Sequence, residues 1–219
     1  MLIPIASLLT VLTFQPEPEV LEADAIQLNR EGRDLLARHQ YVASIRVFKR
    51  AVQRAAVDLG PGDPATAMIL RNLALAYLQV GDFASAEPAA NLALSIFETR
   101  FGTKDVGLGP ILNVLAECYA STGRLEIAER VTERSVALGE DAGPHYGTAL
   151  HNLGALHELS GDFAGAASWY TRAISAKIEA MGANHPHVAL SKAALRRVQR
   201  REAITFGPRV PVRLEQAAE

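Results

Sequence analysis

The sequence predicts an all-α fold of stacked antiparallel helix hairpins, and three observations carry that expectation. A turn residue recurs as His39, Gly81, Gly123 and Gly161, at spacings of 42, 42 and 38. Small residues follow it at fixed distances, first as Ser44, Ala86, Ala128 and Ala166, then as Ala51, Ala93, Ser135 and Ala173. Before each turn runs a second shared pattern: Leu28-x-x-x-Gly32-x-x-Leu35, Leu70-x-x-x-Ala74-x-x-Tyr77, Leu112-x-x-x-Ala116-x-x-Tyr119 and Leu150-x-x-x-Gly154-x-x-His157. Spacings of three and four put these residues on one helical face. A period of this size marks units that cannot bury their apolar face alone and stack in order to do so.

Each unit reads as helix A, a tight turn and helix B. The first spans 20–38 and 42–59; its turn carries His39 in place of glycine, a residue tolerated with positive φ. The second spans 64–80 and 83–100. Asp63-Pro64 opens it, with proline in the first turn, where its missing N–H costs little. Pro88 lies inside the second helix of this unit, where it is expected to delete one backbone hydrogen bond and kink the helix. The third unit spans 106–122 and 125–138, entered through Gly102-Thr103-Lys104-Asp105-Val106. The fourth spans 145–160 and 163–181. Gly143-Pro144 before it reads as a shortened link that accounts for the 38-residue spacing. After Gly182-Ala183-Asn184-His185-Pro186 comes a single closing helix, 186–204. Its Lys192, Arg196, Arg197, Arg200 and Arg201 read as the solvated outer face of a cap, which terminal repeats require. Within each hairpin, small residues at Gly32, Ala74, Ala116 and Gly154 let helix B approach helix A closely, and Ala86, Ala128 and Ala166 do so from the other side.

The chain thus divides into an apolar N-terminal segment with linker (1–19), a solenoid (20–204) and an extended tail (205–219). Residues 1–14, MLIPIASLLTVLTF, carry no charged side chain. The run is too short for an integral membrane span. Two readings stay open: a signal h-region, placing the mature protein outside the cytoplasm, or an apolar segment packed on the first repeat of a cytoplasmic protein.

Little in the composition points to chemistry. The 49% hydrophobic and 21% charged residues describe a globular body,. A net charge of -2 supplies no field for nucleic acid,. The lone Cys118 excludes an internal disulfide and a paired-cysteine zinc site,, and its mid-helix position reads as a small buried hydrophobe. His145, His151 and His157 are spaced by six, which spreads them around a helix, whereas a helical zinc pair needs a spacing of four,. His185 belongs to the link pattern, and His157 takes the place of an interior tyrosine. No nucleophile elbow, phosphate loop or dinucleotide fingerprint is present. The expectation is a non-enzyme with no catalytic residue, no cofactor and no metal.

These turn glycines, small residues and alanines resemble the tetratricopeptide repeat over residues 20 to 204. The 42-residue spacing, the Gly-x-x-(Asp/His)-Pro links and the Asn72-Leu73-Ala74 and Asn152-Leu153-Gly154 cores are similar to the longer repeats of kinesin light chains and many bacterial proteins. The resemblance implies a right-handed superhelix whose A helices line a concave groove, where partners bind in extended or helical form. By position that groove would hold Asn29, Arg33, Arg71, Asn72, Leu75, Asn113, Glu117, His151 and Asn152. Asn72 and Asn152 match the asparagine that pairs with a partner's backbone in related repeats, and Val114 interrupts that ladder. The implied function is an adaptor that binds another protein or peptide in this groove. The alternatives are a self-assembling structural subunit and a regulatory partner acting in trans on a separate enzyme or transcription regulator.

Overall fold

The computed structural model describes residues 24–200, and every regular element in that span is helical. Four hairpins follow in chain order. They are α1 (Ala25–Ala37) with α2 (Tyr41–Asp58), α3 (Pro64–Val80) with α4 (Phe83–Phe101), α5 (Gly109–Ser121) with α6 (Leu125–Val136), and α7 (Pro144–Leu159) with α8 (Phe163–Met181). Helix α9 (Pro186–Gln199) closes the stack. Each helix packs on its neighbours in sequence, and the A helices also touch in series, α1 on α3, α3 on α5 and α5 on α7. The apolar segment 1–14, the linker after it, Arg201 with the predicted end of the closing helix, and the tail 205–219 lie outside the described residues.

The hairpin turns share one geometry. His39, Gly81, Gly123 and Gly161 all have positive φ, at 60°, 78°, 76° and 81°. In each, the next residue donates its N–H to the carbonyl five positions back, on Leu35, Tyr77, Tyr119 and His157, at 2.9 to 3.0 Å. This is the bond that closes a helix through a left-handed residue. His39 is the one non-glycine with positive φ among the described residues; its Nδ1 lies 2.7 Å from the Tyr41 hydroxyl. A left-handed L-residue costs roughly 1–2 kcal/mol. His39→Gly is therefore expected to raise stability by up to about 1 kcal/mol after the lost Tyr41 contact and the greater freedom of glycine, read as a higher unfolding midpoint in urea.

The hairpin interiors show a size match that the repeat pattern conceals. A Cβ on Gly32 would sit 2.5 Å from the Phe48 ring, and one on Gly154 would sit 2.7 Å from the Tyr170 ring. Where helix A carries Ala74 or Ala116 instead, the same register of helix B carries Ala90 or Thr132, and all four are buried. Glycine therefore faces a ring and alanine faces a small side chain, so each hairpin fills its own volume.

Two expectations are corrected. The third unit begins with a 3-10 turn at Val106–Leu108, and α5 starts only at Gly109. Pro110 is the reason: in a continuous α-helix its ring would meet the Val106 carbonyl four residues earlier. Second, the 38-residue spacing does not come from a short link. The link 137–143 is longer than 59–63, 102–105 or 182–185, and contains a 3-10 turn at Glu140–Ala142. The missing length is in α6, which has 12 residues against 18, 19 and 19 in α2, α4 and α8. Helix α4 spans Phe83–Phe101 with Pro88 inside it. Pro88 and Ala84, whose carbonyl it cannot bond, are both exposed, so water can take that acceptor.

The links otherwise share the expected frame. Asp63, Asp105 and His185 each cap the following segment by accepting from the backbone N–H two residues on, as good N-cap residues do.

Candidate functional site

The nine residues named for the groove all lie on the A helices α1, α3, α5 and α7, but they differ in access. Arg33 is exposed, and Asn29 and Leu75 are half-buried. Arg71, Asn72, Asn113, Glu117, His151 and Asn152 are buried, none above 9% exposure. The accessible members therefore belong to the first two units.

Several of the buried six hold the stack together. Asn72 Nδ2 donates to Asn29 Oδ1 at 2.9 Å, joining α3 to α1. Asn113 Nδ2 donates to the His145 carbonyl at 3.3 Å, and its Oδ1 accepts from Ser135 Oγ at 3.2 Å. One side chain thereby ties α5 to α6 and to the first turn of α7. Asn113→Ala would leave a buried donor and acceptor unmatched and is expected to cost about 1–3 kcal/mol, measured by denaturant unfolding. His151 Nδ1 lies 3.0 Å from Ser191 Oγ of α9, and its ring is 5.0 Å from that of Tyr170. Burial holds this imidazole well below its ordinary pKa, with Lys177 and Arg197 adding to the effect.

Ion pairs cross from one unit to the next. Arg124 forks onto Glu87 at 3.1 and 2.6 Å while lying 4.6 Å over the Tyr119 ring, and it holds the Glu87 carboxyl below its usual range. Arg134 pairs with Glu98 and donates to the Thr103 carbonyl at 3.2 Å. At the C-terminal end Arg197 of α9 forks onto Glu158 of α7 at 2.6 and 2.7 Å. The Tyr170 hydroxyl donates to the same carboxylate at 2.7 Å. The first two pairs are partly solvated, whereas the Glu158 side chain is only 1% exposed. Planar bidentate pairing of this kind fixes geometry as well as adding attraction.

Cys118, His157 and His185 sit among packing, capping and stacking contacts. Cys118 is buried, and its thiol is pushed up to about 12 by that burial, with the Glu117 and Glu87 carboxylates adding to it. A thiol held protonated at neutral pH is a poor nucleophile. His157 is half-buried beside the last hairpin turn, 2.8 Å from Asp162 Oδ2, and Asp162 in turn caps α8. His185 stacks on His187 with ring centres 5.1 Å apart. Among the described residues no group of three His, Cys, Asp or Glu side chains is placed to hold a metal ion. Nor is any described helix long and apolar enough to cross a membrane.

Two features escaped the sequence reading. Lys177 is fully buried in α8. The signal was present, because Lys177 occupies the register filled by Ala55 and Phe97 in earlier units. The second is an apolar crevice of about 330 Å³ between α4 and α6, floored by Leu112 and Leu115 of α5 with Arg130 at its rim.

A family model described as tetratricopeptide repeat matches residues 23–99 and 107–179. A Podosopora anserina protein of kinesin-light-chain type with nearly identical TPR-like repeats superposes with a TM-score of 0.64 at 18% identity, covering 84% of this chain and 92% of that one. BtubC (BKLC) from P. vanneervenii gives 0.63 at 22% identity, covering 77% and 70%. MamA gives 0.51 at 18% identity, covering 85% and 98%. At these identities the likeness is one of fold. No curated protein matches the chain.

Proposed function

The chain belongs to the tetratricopeptide repeat family, and from that premise we propose that it is an adaptor that takes a partner peptide or protein along its A-helix groove. Proteins of this right-handed superhelical fold are in general interaction scaffolds and not enzymes. What such a scaffold does is decided by the surface it presents. The observation that carries the proposal is the graded access along the A-helix series. Arg33 is exposed and Asn29 and Leu75 are half-buried, while of the buried six Asn72, Asn113 and His151 are braced by cross-helix hydrogen bonds. Such bracing lowers the ordering cost of binding. Arg33 and the half-buried Asn29 favour a partner with exposed backbone carbonyls and some acidic character.

Capture from cells of origin with the tagged chain tests this. The double variant Arg33→Ala/Leu75→Gln should lose the partner recovered with the native chain while keeping its helical signal. The control Val57→Ser, on α2 and 80% exposed, should keep it. A partner retained by the groove variant and lost by the control would overturn the reading.

A further inference from the structure

Helix α9 docks on a mixed surface. Val188, Ala194 and Val198 are its buried apolar anchors, the latter two packed with Leu156 of α7 and Tyr170 of α8. Between them Ser191 is also fully buried and meets two basic side chains. Lys177 Nζ of α8 donates to Ser191 Oγ at 2.9 Å and to the His187 carbonyl at 3.4 Å. His151 Nδ1 of α7 approaches the same hydroxyl at 3.0 Å. The aliphatic stem of Lys177 is locked in place by Gly147, where an added Cβ would fall 2.7 Å from Lys177 Cγ. One hydroxyl thus gathers α7, α8 and α9 at a register that an earlier unit fills with Phe97.

The groups facing this cluster are mostly basic. From α9 come the His187 ring, stacked on His185 of the preceding link, and Arg197. From α7 comes Glu158, whose two oxygens are already engaged by Arg197 and Tyr170.

We propose that this enclosed cluster is an acid-sensitive latch: with its imidazoles neutral Ser191 bridges the three helices, and their protonation crowds like charges there and releases α9 from α7 and α8. The electrostatics agree in sign. Burial lowers the Lys177 amine to about 7, and lowers His151 and His187 below the ordinary imidazole value of 6.5. The released state, with ordinary proton affinities, binds more protons than the closed one, so falling pH favours release. The Lys177 contribution accumulates from its ordinary 10.5 down to about 7 and is then constant. Below 6.5 the two histidines drive the change against a lysine that is already charged.

The test is hydrogen exchange of the full chain at about pH 8 and about pH 5.5, corrected for the chemical exchange rate, with α3 as internal reference to α9. On acidification α9 should lose at least about tenfold more protection than α3, since one unit of pKa shift is a tenfold preference. Equal loss in both helices, or none in α9, would overturn the latch. His151→Gln/Lys177→Met keeps the packed stem and removes two of the three titrating groups, and should leave α9 with a clearly smaller loss of protection at the acid pH than in the native chain. If this variant loses its helical signal at pH 8, His187→Gln is read in its place and should reduce the loss. Loss equal to that of the native chain in the variant read would sink the protonation mechanism.

Discussion

Tyr170→Ala is expected to cost about 3–5 kcal/mol, the range for removing a large buried aromatic. The ring is fully buried and fills the space left by Gly154. Its hydroxyl donates to the enclosed Glu158, and burial pushes its own ionisation up, so it remains a donor throughout the accessible pH range. The substitution removes a volume and a donor together. The size match within hairpins makes the prediction sharper. Gly154→Ala alone should cost about 1–3 kcal/mol by overpacking against the ring. Added to Tyr170→Ala it should recover stability, since the methyl group enters the vacated space and alanine favours the helix. The double variant would then resemble the second hairpin, where Ala74 and Ala90 hold these registers. A double-mutant cycle in urea measures the coupling, and additive costs would show that the two residues do not share one volume.

Arg197→Ala is expected to cost about 2–3 kcal/mol. Breaking a fully enclosed ion pair costs roughly 3–5 kcal/mol because a charge is stranded. Here Glu158 is enclosed while Arg197 keeps 41% of its side chain in water, which moderates the loss. The damage should stay local. Once α9 detaches, Glu158 is hydrated and no further penalty accrues, so the effect cannot exceed the docking free energy of α9 itself. Hydrogen exchange should show α9 opening while α3 and α5 stay protected. Arg197→Lys should recover only part of the loss, because an ammonium cannot fork onto both oxygens. Uniform loss along the stack would mean that the pair supports the whole solenoid and not its end.

The parts of this fold set by local chemistry were legible in the sequence. Positive φ at Gly81, Gly123 and Gly161 follows from glycine itself, and the placement of His39 follows from the shared register. Pro64, Pro144 and Pro186 mark helix starts for the same kind of reason. Pro110 carried equally local information that the repeat frame obscured, because the frame starts the helix at Val106. The shortened α6 was misread as a short link because a missing turn of helix and a missing loop give the same spacing.

Burial in the candidate groove was not legible. Position alone puts Asn113 and Arg33 on the same face, and only packing decides that one braces three helices while the other is exposed. Glu158 and Arg197 lie 39 residues apart, and their pairing depends on how α9 docks. Arg197 therefore read as part of a solvated face. Lys177 could have been found by comparing core registers between units, where a lysine among Ala55 and Phe97 stands out.

The central claim is that partners engage the A-helix side, and site-specific photocrosslinking tests it most directly. A photoreactive residue placed at Arg33 should crosslink to the partner in cells of origin, while one at Val57 of α2 or Leu92 of α4, both exposed on B helices, should not. Crosslinks from Val57 or Leu92 with none from Arg33 would contradict the account and move the binding surface to the opposite face of the solenoid.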